Sequence, residues 1–332
     1  MKNKNSKLNA KKPKNKITNT SKHNIKPKMK LNKIKTINTG DTIISINFFK
    51  NFNFLILTYN KCHIYSPKFA LIKTIDLDYE IKEIKITDNE NFKCLFNYEL
   101  YVNINIKNNE VEQIIDFGRK DIKYIKYYKK SIIAIKGFNT IFIWDQIEKN
   151  KYQFITKIEL DICGEDIFVF EQYDLLFSCA SNLIIYNLKK NKIDSILEEL
   201  NFSAAIPFYE NHILFLGGDY ECGINDLSVY NIKEKKVIKN KEFDFYFYQY
   251  DININYTNLI KYYKKKDVII LCGGKNEVYN SIYVLDRNFN LIQTLDKIHY
   301  KNILGLAIYE RGINDLILSY STDGEIYFYS IS

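Results

Sequence analysis

The stretch Leu316-Ile317-Leu318-Ser319-Tyr320-Ser321-Thr322-Asp323-Gly324-Glu325-Ile326-Tyr327-Phe328-Tyr329-Ser330 decides how the whole chain is read. Ile, Leu, Tyr and Phe suit a pleated, half-buried surface, and they fill both ends of it. Between them stands Thr-Asp-Gly. Asp bonds its own backbone and Gly reaches positive φ, so the three residues read as a tight turn. The stretch is therefore two short strands folded back on each other.

Working outward from Tyr329, the same phrase recurs. Copies centre on Ile64-Tyr65-Ser66, Asn103-Ile104-Asn105, Ile143-Trp144-Asp145, Ile185-Tyr186-Asn187, Val229-Tyr230-Asn231, Val284-Leu285-Asp286 and Phe328-Tyr329-Ser330. The steps between them are 39, 40, 42, 44, 55 and 44 residues, with the second copy open to a shift of one residue. One supersecondary unit every 40–45 residues is the period of four-stranded propeller blades. Two separate β-sandwiches would explain neither the regular step nor the complementary chain ends.

The last copy resembles a WD40 repeat. His299, four residues before Ile303, stands where that family places its structural His. The resemblance implies a buried hydrogen-bond network of His299, Ser321 and Asp323, with Tyr329 in place of the family's Trp. Trp144-Asp145 is the one true Trp-Asp pair, and the other blades lack the His. Copies five and six resemble kelch repeats instead: Gly217-Gly218 precedes Asn225-Asp226-Leu227 and Tyr230, and Gly273-Gly274 precedes Tyr283 and Asp286. Paired glycines at the end of a blade's second strand allow a tight turn and a close backbone approach.

The ends fit each other. The last copy stops after its third strand, and Leu31–Ile37 supplies a spare one resembling Ala70–Ile75. Residues 31–37 are expected to pair with residues 325–332, which removes two open edges. The expected fold is all-β: a seven-bladed β-propeller of four-stranded antiparallel blades over residues 31–332, preceded by a basic, disordered tail over residues 1–30.

Composition sets the class. Hydrophobic residues make up 46% of the chain, enough for a globular core. No apolar run is long enough for a membrane span, and no apolar leader follows Met1, so a cytoplasmic or nuclear protein is expected. Six scattered cysteines without a CxxC pair read as reduced, buried thiols.

Charge is uneven. Thirteen lysines and no acids fall in residues 1–35, against a net charge of +9 for the chain. Abundant Lys, Asn, Ile and Tyr with only three arginines also fits an AT-rich coding bias, which would enrich Lys without a function. On the propeller plan the loops from a blade's fourth strand to the next blade's first share one face, the top. They are acidic: Asp76, Asp78, Glu80, Asp161, Glu165. The opposite face carries Lys129 and Lys130; Lys149 and Lys151; Lys189, Lys190 and Lys192; Lys233, Lys235 and Lys236; and Lys264–Lys266. With the tail, including the import-like Lys11-Lys12-Pro13-Lys14, this basic arc could hold RNA or another polyanion. Solvated turn lysines are the plainer explanation.

The 55-residue step contains Phe243-Asp244-Phe245-Tyr246-Phe247-Tyr248-Gln249-Tyr250-Asp251. Side chains of a strand alternate, so one strand could not bury all these rings. Phe243, Phe245, Tyr246, Phe247, Tyr248 and Tyr250 are therefore the expected protein-binding patch. Catalysis has little support: the four histidines do not cluster, no nucleophile elbow is present, and no cofactor or metal site is expected. The leading expectation is a non-enzymatic scaffold binding other proteins of a multisubunit assembly. The alternatives are a subunit of an RNA-containing or nuclear complex, and an enzyme or small-ligand binder at the central channel.

Overall fold

The structure, a computed structural model, describes residues 29–77, 81–118, 122–136, 140–159, 166–179, 182–198, 202–219, 223–246, 258–275, 278–312 and 314–332. These form seven four-stranded antiparallel sheets. The strands of each are called a to d in spatial order. Strands a are Ile43–Phe48, Ile81–Ile86, Ile122–Tyr128, Asp166–Phe170, Phe202–Pro207, Ile260–Tyr263 and Ile303–Tyr309 for blades 1 to 7. Each strand a touches the strand a of both neighbouring blades, and blade 7 returns to blade 1, so the ring is closed.

Closure follows the expected route. Strand d of blade 7 is the N-terminal Leu31–Asn38, antiparallel to strand c, Glu325–Ile331, with Leu31 opposite Ile331 and Asn38 opposite Glu325. Lys30 and Ser332 then exchange backbone hydrogen bonds at 3.0 Å, so the first and last strands of the ring are stitched together.

The core is divided among the seams. Seven hydrophobic clusters lie one between each pair of blades, because both faces of every sheet pack on a neighbour. This explains why inner strands such as Phe54–Thr58 and Leu316–Ser321 are buried throughout. A strand covered on both faces needs a continuous apolar run, not an alternating one. Trp144 faces blade 2, among Phe117 (5.0 Å between centroids), Phe142 (5.7 Å) and Phe154 (5.6 Å).

One device repeats in every blade. The register between strands c and d slips by one residue, leaving an extra residue on strand d: Ile34, Ile72, Ile114, Ile155, Asp194, Ile238 and Ile292. Such bulges sharpen the twist of an outer strand and spoil it as a template for another chain. Strand d is the exposed edge of each blade, so that is where the protection belongs.

The paired glycines stand at the ends of strands b, as expected, and they also mark bulges there. Gly217-Gly218 and Gly273-Gly274 lie in strands b, His212–Asp219 and Val268–Lys275, at slips in the b–c register. Cys62, Cys94 and Cys272 are buried thiols without a disulfide, and burial pushes Cys62 up to about 12. No helix among the described residues is long and apolar enough to cross a membrane.

Candidate protein-interaction surface

Blade 7 holds the densest polar network of the described residues. His299 is 2% exposed. Its Nδ1 meets Ser321 Oγ at 2.8 Å and its Nε2 meets Ser319 Oγ at 2.6 Å. Ser321 Oγ donates to Asp323 Oδ1, and Ser319 Oγ lies 3.3 Å from the Tyr329 hydroxyl. One proton arrangement satisfies all of this: Tyr329 to Ser319 to Nε2 on one side, and Nδ1–H to Ser321 to Asp323 on the other. The ring is then neutral, and burial pushes its pKa down to about 4 against the pull of Asp323. Asp323 and Glu325 lie within 4.8 Å of the ring nitrogens, a spacing that could suit a cation. Both ring nitrogens are spent on serines, however, and Glu325 accepts from the Tyr327 hydroxyl at 2.6 Å. This cluster is built to hold a turn. The sequence reading missed Ser319, whose small side chain carries no signature of its own.

The network props up the top of the seam between blades 7 and 1. Gly324 has φ +79° at the turn, and a Cβ there would meet the Asp41 backbone oxygen at 2.7 Å, so only glycine fits. Thr39 N donates to Gly324 O at 3.0 Å and Thr42 Oγ1 to Thr322 O at 3.0 Å. Between these turns lies a cleft of about 590 Å³ lined by Asp41, Tyr59, Lys61, Lys301 and Asp323 among others. Tyr59 is 48% exposed at its wall. Tyr300, the residue between His299 and Lys301, is 88% exposed, the most exposed of the large apolar or aromatic side chains described. Its backbone is nevertheless pinned, because Asn280 Nδ2 donates to the His299 carbonyl at 3.0 Å. The sequence reading missed Tyr59 and Tyr300. The available signal was an aromatic in a short polar loop, between Thr58 and Asn60 and between His299 and Lys301.

The expected aromatic patch is divided. Phe245 is 4% exposed and stacks on Tyr283 at 3.7 Å between centroids, and Phe243 is half-buried beside it. Both belong to the core between blades 5 and 6, which corrects the expectation of a contact patch at these two positions. Tyr246 is exposed, and its backbone exchanges hydrogen bonds with Gly274 at 2.9 and 3.0 Å. Phe247, Tyr248 and Tyr250 lie outside the described residues, as do Lys11, Lys12 and Lys14 of the tail.

The basic arc on the opposite face is interleaved with acids. Lys129 Nζ lies 2.5 Å from Asp174, Lys235 2.8 Å from Asp194, and Lys236 2.9 Å from Glu234. Lys151 meets Glu148 at 2.6 Å, and Lys265 meets the buried Asp315 at 2.5 Å. These contacts correct the picture of a continuous positive surface. Lys130, Lys189, Lys190 and Lys192 are exposed and form no ion pair among the described residues.

No protein-family model matches the chain, and no curated protein matches it. Among solved structures, a chain of the crystal structure of the mitotic checkpoint complex superposes with a TM-score of 0.70 at 10% identity. The match covers 99% of this chain and 98% of that one. In all, 1472 solved chains match, so the likeness is too widely shared to select a partner. The ring of seven four-stranded blades, closed by its own N-terminal strand and superposable end to end on that chain, is what the comparison establishes: this protein has the seven-bladed β-propeller fold that its WD40-like last repeat implied.

Proposed function

We propose that this protein is a non-enzymatic scaffold that binds a segment of a partner protein across its top face, at the seam between blades 7 and 1. The observation that carries the reading is Tyr300. A ring 88% in solvent, on a backbone fixed by a buried hydrogen-bond network, gives contact area at little conformational cost. Tyr59 stands on the wall of the adjoining cleft, and Asp41, Lys61 and Lys301 supply the polar rim that such an interface needs. Tyr246 extends the aromatic set to the top of blade 5. The superposable chain comes from a multiprotein complex, which accords with a partner-binding role.

The test is comparative affinity purification of the wild type, Tyr300→Ala, Tyr59→Ala and, as a control on the other face, Lys190→Ala. Partners recovered with the wild type and the Lys190 variant should fall about tenfold or more with Tyr300→Ala, the effect of losing a hot spot. Melting temperature should not move, because an 88% exposed side chain supports no packing. Equal recovery by all four proteins would sink the reading.

A further inference from the structure

A second cleft, of about 800 Å³, opens on the opposite face between blades 2 and 3. Three turns form its mouth: Thr87–Glu90 and the segment before Val111 from blade 2, and Gln146–Asn150 from blade 3. Its inner wall is unusual for a propeller seam. On that face of blade 2 the inner end is apolar, with Leu95 and Tyr101 in the core, while the end at the cleft is polar, with Asn91, Asn103 and Asn105 around Lys93.

Lys93 is 8% exposed, yet among the described residues no carboxylate lies within 4 Å of its Nζ. Its one hydrogen-bond partner among the described residues is the Tyr152 hydroxyl, at 3.4 Å. Lys85, its neighbour across the a–b ladder, lies over the Tyr127 ring at 4.1 Å. Burial lowers the pKa of both lysines; Lys85 lowers that of Lys93 further, Glu112 pulls it back up, and Lys149 adds a smaller push down. Deeper in the same seam the buried Tyr101 and Tyr127 hydroxyls lean on each other, and Tyr101 also interacts with the Tyr152 hydroxyl, so neither is offered to Lys93. A buried ammonium with one long contact is expensive. A group that fits there and brings negative charge would remove the cost.

Three acids line the cleft, Asp88, Glu110 and Glu112; only Glu112 acts on Lys93, and it does so from beyond 4 Å. Glu112 is bound to Asn150 Nδ2 at 2.5 Å and stands on the outer strand d. Asp88 accepts from Glu90 N at 2.8 Å and Asn91 Nδ2 at 2.9 Å within its own turn. The rim is therefore mixed, with Asp88, Glu110, Glu112 and Lys149, and Lys93 is the one charge on the floor. Asn103 and Asn105 offer carboxamides between the two.

We propose that this cleft is a binding site for a compact anionic group, a phosphate or a carboxylate, with Lys93 as its buried anchor and Lys149 at its mouth. The site lies on the face opposite the proposed protein-binding seam and does not depend on it. The three N–H groups of Lys93 accept a tetrahedral or a planar anion equally. The ligand's size is set by the cleft, which admits a small metabolite or a single modified side chain.

The experiment is thermal unfolding of the full chain in inorganic phosphate, in succinate, and in sodium chloride at matched ionic strength. Phosphate, succinate or both should raise the melting temperature by about 2 °C or more above chloride, as binding to the folded state requires. Which of the two acts identifies the anion. Lys93→Met should leave stability in chloride unchanged or higher, since it removes an uncompensated buried charge, and should abolish the shift. Lys149→Ala, on an exposed turn that cannot affect folding, should reduce the shift severalfold. A wild type that responds no more to either anion than to chloride overturns the proposal. So does a shift that survives in both variants.

Discussion

At the scale of the residue, His299 shows how one side chain can tie a blade together and also limit it. Its neutral ring accepts from Ser319 and donates to Ser321, so protonation would break one of the two bonds. The folded pKa is about 4, below the ordinary 6.5. In that window the unfolded chain binds the extra proton, so stability is full above pH 6.5 and is lost as pH falls towards 4. The loss should approach about 3 kcal/mol, because each tenfold drop in proton affinity is worth about 1.4 kcal/mol. Urea unfolding at pH 7 and pH 5 measures it. His299→Asn should be less stable at pH 7 and should show a flatter dependence across the window. An unchanged dependence in the variant would assign the acid sensitivity to other groups. Much of this was legible in the sequence, because His, Ser and Asp stood at the spacing of the WD40 signature. Ser319 was not, because nothing marks a serine in a buried strand until its partner is placed opposite it.

At the scale of the element, the N-terminal strand does the work of a clasp. Leu31–Asn38 pairs along the whole of Glu325–Ile331, and Leu31 N also donates to Gln293 Oε1 at 2.9 Å, reaching blade 6. Lys33 Nζ lies 3.1 Å from the centroid of the Tyr327 ring, which in turn stacks on His299 at 4.1 Å. Removing residues 1–28 should leave the melting temperature within a degree or so of the full chain. Removing residues 1–38 should give an insoluble or partly unfolded protein, because strand c of blade 7 becomes an open edge and the ring loses its closing contact. Circular dichroism melts and gel filtration of the two truncations decide it, and a well-folded monomer without residues 1–38 would overturn the clasp. The complementary ends made this pairing readable from the chain alone. The bulge on every strand d was not readable, since the extra residue, Ile in six blades and Asp194 in the other, looks like any other strand residue until the register is seen.

At the scale of the whole molecule, charge is distributed by pairing more than by composition. Lysines crowd the turns of one face, yet Asp174, Asp194, Glu234 and Asp315 lie within 3 Å of four of them. Exposed pairs of this kind add little stability, but they cancel the field that a polyanion would feel. A chain beginning at Met29 should therefore show no salt-sensitive binding to mixed RNA between about 50 and 200 mM salt in a gel-shift titration. Any such binding by the full chain should reside in residues 1–28, where nothing acidic is present. Salt-sensitive binding by the shorter chain would restore the basic face to consideration.

The fold and its closure were determined by the sequence itself, because a repeat is a local pattern written several times over and its period is independent of what surrounds it. The aromatic segment was decided only in three dimensions. Phe245 and Tyr246 are neighbours of the same character, and one stacks on Tyr283 in the core while the other stands in solvent. The same holds for Tyr300 beside His299, and for Lys93 against the many lysines that line the turns. Composition tells that a ring or an ammonium is present. Whether it is buried, paired or offered to a partner depends on the neighbouring blade, which the chain reaches only after folding.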